Sequence, residues 1–155
     1  MSQVTVNNAI NLTYPDSYHE MTEEELQRYF STAENRWGVY DEERHVVLSV
    51  FWSKAGFFSF MSDAESFLIP IEARYKRKLI NYRRKDASKI KIAKKKGYGF
   101  SFEYRVNNAN MYQIGELRAI KHKGKYYVFQ YIGRRITDDE CRADYNAMVE
   151  SVTLA

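Results

Sequence analysis

Between residues 88 and 133 the chain holds four strand-forming stretches separated only by Lys96-Gly97, Asn107-Asn108 and Lys123-Gly124. The stretches cover 88–95, 98–106, 111–122 and 125–133. Glycine and asparagine tolerate the left-handed backbone of tight turns, so these breaks read as the connections of antiparallel hairpins. Four consecutive strands joined this way make a mostly antiparallel sheet. Every other element must then pack on that sheet or extend it.

The flanking sequence supplies those elements. Ile10-Asn11-Leu12-Thr13-Tyr14 alternates and stops at Pro15-Asp16, a short strand closed by a turn. Thr22 with Glu25 three residues later makes a capping box, and Met21 and Leu26 occupy the staple positions, predicting a helix over 23–30. His45–Trp52 is apolar nearly throughout, as in a strand covered on both faces. A long helix is predicted from Asp63 to Tyr82, with Ala64, Phe67, Leu68, Ile71, Tyr75, Leu79 and Tyr82 on one stripe. Pro70 interrupts it and predicts a kink or a restart, because an interior proline removes a hydrogen bond. Thr137 and Glu140 predict a second capping box and a final helix over 138–150, with Cys141, Tyr145, Met148, Val149 and Val152 on its inner stripe. The order predicts an α+β fold, a mostly antiparallel sheet sandwiched between helices. The alternative is a curved sheet carrying one long helix, as in cystatin-like or nuclear-transport-factor-like folds.

At 155 residues, 45% apolar and 15% aromatic, the chain is sized for one domain, 1–155, with a substantial core. No apolar run approaches the ~20 residues that span a bilayer. The N-terminal stretch has neither the basic leader nor the apolar core of a signal peptide. Cys141 is the only cysteine, which suits a reducing compartment and a cytoplasmic protein. Charge is uneven. Residues 1–73 hold 4 Lys/Arg against 12 Asp/Glu, and residues 74–155 hold 20 against 8. Within 74–96 there are 12 basic residues and one acid, Asp86. Such a run reads first as a solvated face. Arg74, Lys76, Arg77 and Lys78 suit the negative end of a helix dipole, Glu72 and Lys76 are spaced as an ion pair, and Lys89 and Lys91 suit an exposed edge strand. It leaves open a docking surface for an acidic protein partner and, less favoured, for nucleic acid.

Lys96-Gly97-Tyr98-Gly99-Phe100 matches the start of the signature strand of RNA-recognition domains. Alternation puts Tyr98, Phe100, Phe102, Tyr104 and Val106 on one face, so RNA stacking there would force Ser101, Glu103 and Arg105 into the core. That module also needs a helix before its last strand, where this chain has two more strands. The match is fortuitous, and the aromatic face is predicted to be the core face.

Catalytic patterns are absent. His19, His45 and His122 lie on separate elements without metal-ligand spacing. Cys141 sits on an apolar stripe and reads as a core residue, with a reactive thiol near a helix N-terminus as the minor alternative. Ser88-Lys89-Ile90-Lys91 fits Ser-x-x-Lys but lies on a strand without its partner motifs. Gly97-x-Gly99 lacks the third glycine of a dinucleotide loop, and no cofactor is implied. Asp138, Asp139 and Glu140 read as a helix N-terminus. Phe57, Phe58 and Phe60, in the connection before the long helix, read as a satellite of the core or as an exposed interaction patch. Trp37 and Tyr40, placed in a loop, pose the same choice.

Tyr14-Pro15-Asp16-Ser17-Tyr18, Met21-Thr22-Glu23-Glu24-Glu25-Leu26, the basic long helix, Phe102-Glu103-Tyr104-Arg105-Val106, Ile114-Gly115-Glu116-Leu117 and Lys125-Tyr126-Tyr127-Val128 follow one another along most of the chain. In this order they resemble the PsbP-like superfamily, which includes Mog-like proteins and short bacterial members. Pro70 and the aromatic loop depart from it. The resemblance implies an antiparallel sheet between helices and a non-catalytic binding or assembly role. It does not bring the GTPase partner of the eukaryotic members, whose contact motif is missing here. The function expected is therefore a cytoplasmic binding or adaptor protein, with Arg74, Arg77, Arg84, Lys91, Phe57, Phe58 and Phe60 as candidate partner-binding residues. The alternatives are a small-molecule-binding or enzymatic cone-shaped domain whose Tyr112, Tyr127 and Tyr131 line a pocket, and a nucleic-acid binder using 74–96.

Overall fold

The structure, a computed structural model, describes residues 1–53, 63–106 and 110–155. The Asn107-Asn108 connection and Phe57, Phe58 and Phe60 lie outside the described residues. The elements are β1 (Ser2–Val6), β2 (Ile10–Tyr14), β3 (His19–Glu20), α1 (Glu23–Phe30), β4 (Arg36–Asp41), β5 (Val46–Trp52), α2 (Ala64–Lys78), β6 (Ile80–Ile92), β7 (Lys95–Arg105), β8 (Tyr112–His122) and β9 (Lys125–Arg134). A 3-10 turn (Arg135–Thr137), α3 (Asp138–Glu150) and β10 (Thr153–Leu154) complete the chain.

The four-strand meander forms as expected and carries the fold. β6, β7, β8 and β9 pair antiparallel in succession, and β9 pairs antiparallel with β5. With β4 and β3 they make a seven-stranded sheet in the order β3-β4-β5-β9-β8-β7-β6. β5 and β9 lie inside this sheet and are buried on both faces, which explains the unbroken apolar run of β5.

One face of the sheet carries α2 and α1. Leu68 and Ala64 of α2 pack on Phe100, Phe102, Leu117, Ala119, Tyr126 and Val128, and Leu26 of α1 packs on Val47. The predicted aromatic face of β7 is thus core. The other face is covered by α3 and by a small sheet of order β1-β2-β10. Cys141, Tyr145, Met148, Val149 and Val152 are buried there against Leu48, Phe129 and Tyr131. The layers are those of an α+β sandwich, with a three-stranded sheet sharing one layer with a helix.

Several local expectations are corrected. β1 adds a strand that the sequence reading left out. Trp37 and Tyr40 belong to β4, where Gly38 lets Met21 and Leu26 sit directly on the strand. α2 runs through Pro70 without restarting, capped by Asp63, and it stops at Leu79 rather than Tyr82. Leu79 and Tyr82 still reach the same apolar cluster, from extended backbone. The strand expected at 88–95 begins at Ile80. Its turn falls at Ala93-Lys94, both with positive φ (49° and 69°), not at Lys96-Gly97. A Cβ on Gly97 would lie 2.0 Å from the carbonyl oxygen of Ala119, so this glycine serves close strand approach rather than a turn. Lys123-Gly124 is a turn as expected. The capping box at Thr22 and Glu25 forms, whereas the Thr137 side chain makes no cap hydrogen bond and the 3-10 turn leads into α3 instead.

Candidate functional site

The basic segment 74–96 becomes one continuous surface because α2 and β6 follow one another and lie side by side. The helix ends at Leu79, β6 starts at Ile80, and residues 63–65 line a cleft with Lys89, Ile90 and Lys91 at the far end of the strand. The two elements therefore run in opposite directions, and the cations of both collect along one edge of the molecule.

The predicted partner-binding cations divide into two groups. Arg84 is committed internally: its Nε and Nη2 donate to the two carboxylate oxygens of Glu72 at 2.9 and 2.6 Å. The Tyr82 hydroxyl donates to the same carboxylate at 2.7 Å. Glu72 is only 6% exposed. Burial pushes its carboxyl up, and the bonds from Arg84 and Tyr82 more than reverse this, leaving it below the ordinary glutamate value. The same bonds to Glu72 hold Arg84 above its ordinary value. Arg84 therefore ties β6 to α2, and the expected pairing of Glu72 with Lys76 gives way to this arrangement. Arg83 and Lys85, on the same strand, pair with Glu103, as does Arg135.

The second group faces solvent. Arg74, Arg77 and Lys91, with Lys76, Lys78, Lys89, Lys94, Lys95 and Lys96, are all exposed, and none makes an ion pair among the described residues. Lys89 stands opposite Tyr98 and Lys91 opposite Lys96 in the ladder, so their side chains share the face that carries α2. Beside them is the open cleft, about 500 Å³, lined by Asp63, Ala64, Glu65, Lys89, Ile90, Lys91, Lys96, Gly97 and Tyr98. Sequence reasoning singled out Lys91 and left Lys89, Lys94, Lys95 and Lys96 as background; the hairpin turn at Ala93-Lys94 is what brings them together.

Elsewhere several charged groups are held in internal networks. Arg44 bridges Asp41, Glu140 and Asp144, and the Tyr18 hydroxyl donates to Asp144. Arg142 links Glu116 to Asp138, which also accepts from Tyr131. Arg36 lies over the rings of Phe30 and Phe51 and donates to Gln130, and burial lowers its guanidinium to about 10. Tyr127 and Tyr131, expected to line a pocket in a cone-shaped domain, are buried in the core. Cys141 is fully buried and burial pushes its thiol up, which disfavours the reactive thiolate. Among the described residues no group of three or more His, Cys, Asp or Glu side chains is placed to hold a metal ion, and no helix is long and apolar enough to cross a membrane.

No protein-family model matches the chain. No curated protein matches it in sequence. Solved structures do match in fold. Cyanobacterial PsbP (CyanoP) from Synechocystis sp. PCC 6803 superposes with a TM-score of 0.69 at 10% identity, over 99% of this chain and 92% of that one. The Ran-binding protein Mog1p of Saccharomyces cerevisiae gives 0.65 at 9% identity, over 99% and 94%. LpqN of Mycobacterium tuberculosis, involved in cell envelope biogenesis, gives 0.64 at 17% identity, over 94% and 83%. Near-complete mutual coverage means that the whole arrangement is shared rather than one hairpin. The chain has the α+β fold of the PsbP-like and Mog1-like proteins.

Proposed function

We propose that the chain is a non-catalytic binding or adaptor protein that docks an acidic protein partner on the surface formed by α2, β6 and the β6–β7 turn. One observation carries this: nine exposed cations on consecutive elements make no ion pair among the described residues. Like charges gathered at one edge repel one another, and a complementary acidic surface relieves that repulsion while steering the encounter. The structural neighbours support the class of function, since one of them is described as a Ran-binding protein.

The test is a pull-down from native lysate, with and without nuclease treatment, using the tagged protein against a variant carrying Arg74→Glu, Arg77→Glu and Lys91→Glu. Arg84 is left intact because its loss would strip Glu72 of its partner. Circular dichroism and thermal melting check that the variant is folded. A protein captured by the wild type and lost from the folded variant supports docking at this surface. Equal capture by both moves the site elsewhere, and capture abolished by nuclease replaces the protein partner with nucleic acid.

A further inference from the structure

β6 is the terminal strand of the seven-stranded sheet, paired on one side with β7 and with no strand on the other among the described residues. Its first half is irregular, with register shifts between Ile80 and Arg83 and between Arg84 and Asp86. From Asp86 to Ile92 the pairing is regular. The two-residue turn at Ala93-Lys94 is closed by the pair Ile92 and Lys95. In a two-residue hairpin the closing pair is hydrogen-bonded, and bonded and non-bonded pairs then alternate. Ile90 and Ser88 therefore direct their backbone groups inward to Gly97 and Gly99. Ala87, Lys89 and Lys91 direct their N–H and C=O groups outward. A partner strand has three evenly spaced residues to pair with.

The side chains decide which strand. Ala87, Lys89 and Lys91 share the face that carries α2, and the two lysines are exposed and without ion pairs there. A residue paired opposite an edge residue has its Cβ within about 5 Å of the neighbour's, so carboxylates at alternate positions would lie directly beside Lys89 and Lys91. A second copy of β6 would bring lysines there instead. Edge lysines are a known guard against self-pairing, and here the same guard selects for acid. We propose that β6 accepts an extended acidic segment of a partner protein as an eighth strand, bonded to the outward backbone of Ala87, Lys89 and Lys91 with its carboxylates beside the two lysines. This deepens the acidic-docking function above and rests on it.

The probe is a fluorescein-labelled heptapeptide alternating glutamate with valine, compared with one of the same composition in the block order Glu-Glu-Val-Val-Glu-Glu-Val, which has no two carboxylates at alternate positions and so cannot set one beside each of the two lysines. Affinity is read by fluorescence anisotropy on the full chain and on two variants. Lys89→Glu with Lys91→Glu reverses the charge. Lys89→Pro removes one outward N–H, and the inward ladder does not use it, so an edge strand tolerates the change. The expected result is binding of the alternating peptide about tenfold or more tighter than the block peptide, weakened about tenfold or more by each variant. If charge reversal weakens binding and Lys89→Pro does not, strand addition is overturned while docking by charge stands. If neither variant weakens it, both fail. Absence of binding to the wild type also overturns strand addition, and so does a wild-type dimer by size-exclusion chromatography that is lost in Lys89→Pro. Should Lys89→Pro unfold, amide hydrogen exchange on the wild type decides: bound peptide must newly protect Ala87, Lys89 and Lys91, and unchanged exchange at these amides sinks the proposal.

Discussion

Replacing Glu72 by alanine should destabilise the chain while leaving every exposed cation of the proposed docking surface in place. The substitution removes the acceptor of three bonds, two from Arg84 and one from Tyr82. The Arg84 side chain is 42% exposed and can rehydrate once released, so its pair is discounted to about 0.5–1 kcal/mol. The Tyr82 hydroxyl, bonded to a buried carboxylate, contributes about 1.5 kcal/mol. The expected loss is about 2 kcal/mol, or about 4–8 °C in Tm for a chain of this size. The pH dependence gives a second check. The Glu72 carboxyl is held below its unfolded value, so its contribution is complete above about pH 4.5 and is lost as pH falls through the folded value. Urea unfolding of wild type and Glu72→Ala at pH 7 and pH 3 should show the gap shrinking in acid. A loss under about 0.5 kcal/mol at pH 7, or a gap independent of pH, would refute the reasoning that this carboxylate ties α2 to β6.

Gly115→Ala would place a Cβ 2.2 Å from Cζ of Phe102, and overpacking of that kind should cost about 2–3 kcal/mol in urea titration. Arg44→Ala would remove the guanidinium paired with Asp41, whose side chain is 7% exposed and would keep backbone N–H bonds alone, and should cost about 3 kcal/mol at pH 7. Burial pushes the Asp41 carboxyl up and Arg44 more than reverses it, so the Arg44→Ala deficit should narrow as pH falls below about 4, measurable by thermal melting across pH. Association with an acidic partner should slow as salt shortens the Debye length from about 30 Å at 0.01 M to about 8 Å at 0.15 M. In stopped-flow measurements Arg74→Glu with Arg77→Glu should lower the on-rate more than it raises the off-rate.

Elements whose signal is local were legible from the sequence. The box at Thr22 and Glu25, the stripe from Cys141 to Val152 and the turn at Lys123-Gly124 each depend on residues within a few positions of one another. The end of α2 was not legible, because Leu79 and Tyr82 fit a helical stripe and, as strand residues, reach the same apolar cluster. Asn81, with φ of 53°, was the available warning of a break. β4 was hidden because Trp37, Gly38 and Val39 are all buried, which erases the alternation that marks a half-exposed strand. Gly97 misled because glycine marks both turns and close backbone approach, and only the position of Ala119 across the sheet separates the two. In the same way Arg84 looked like its neighbours. Its partner Glu72 lies twelve residues away and meets it only after the chain reverses from helix to strand.

The sheet order converts the charge imbalance of the sequence into a direction in space. β3, β4 and β5 come from the acidic first half and occupy one end of the sheet, next to α1 with Glu23, Glu24 and Glu25 in its first turn. β9, β8, β7 and β6 then run backwards through the second half, so the strand nearest the start of the basic segment is the farthest from the acidic end. Each half folded alone would be a strongly charged fragment. Joined through β5 and β9, whose facing residues Val47–Trp52 and Tyr127–Ile132 form an uncharged ladder between the halves, they set the acids of α1 at one end of the sheet and the lysines of β6 at the other, where Asp63, Glu65 and Glu72 are the acids of the first half that lie among the cations. An approaching acidic chain is repelled at the β3 end and attracted at the β6 end. At β6 it meets the outward backbone groups of Ala87, Lys89 and Lys91. In the proposed strand addition, long-range charge would deliver a partner to the edge where short-range hydrogen bonding can hold it, and a partner lacking either acid or an extended segment would satisfy only one of the two.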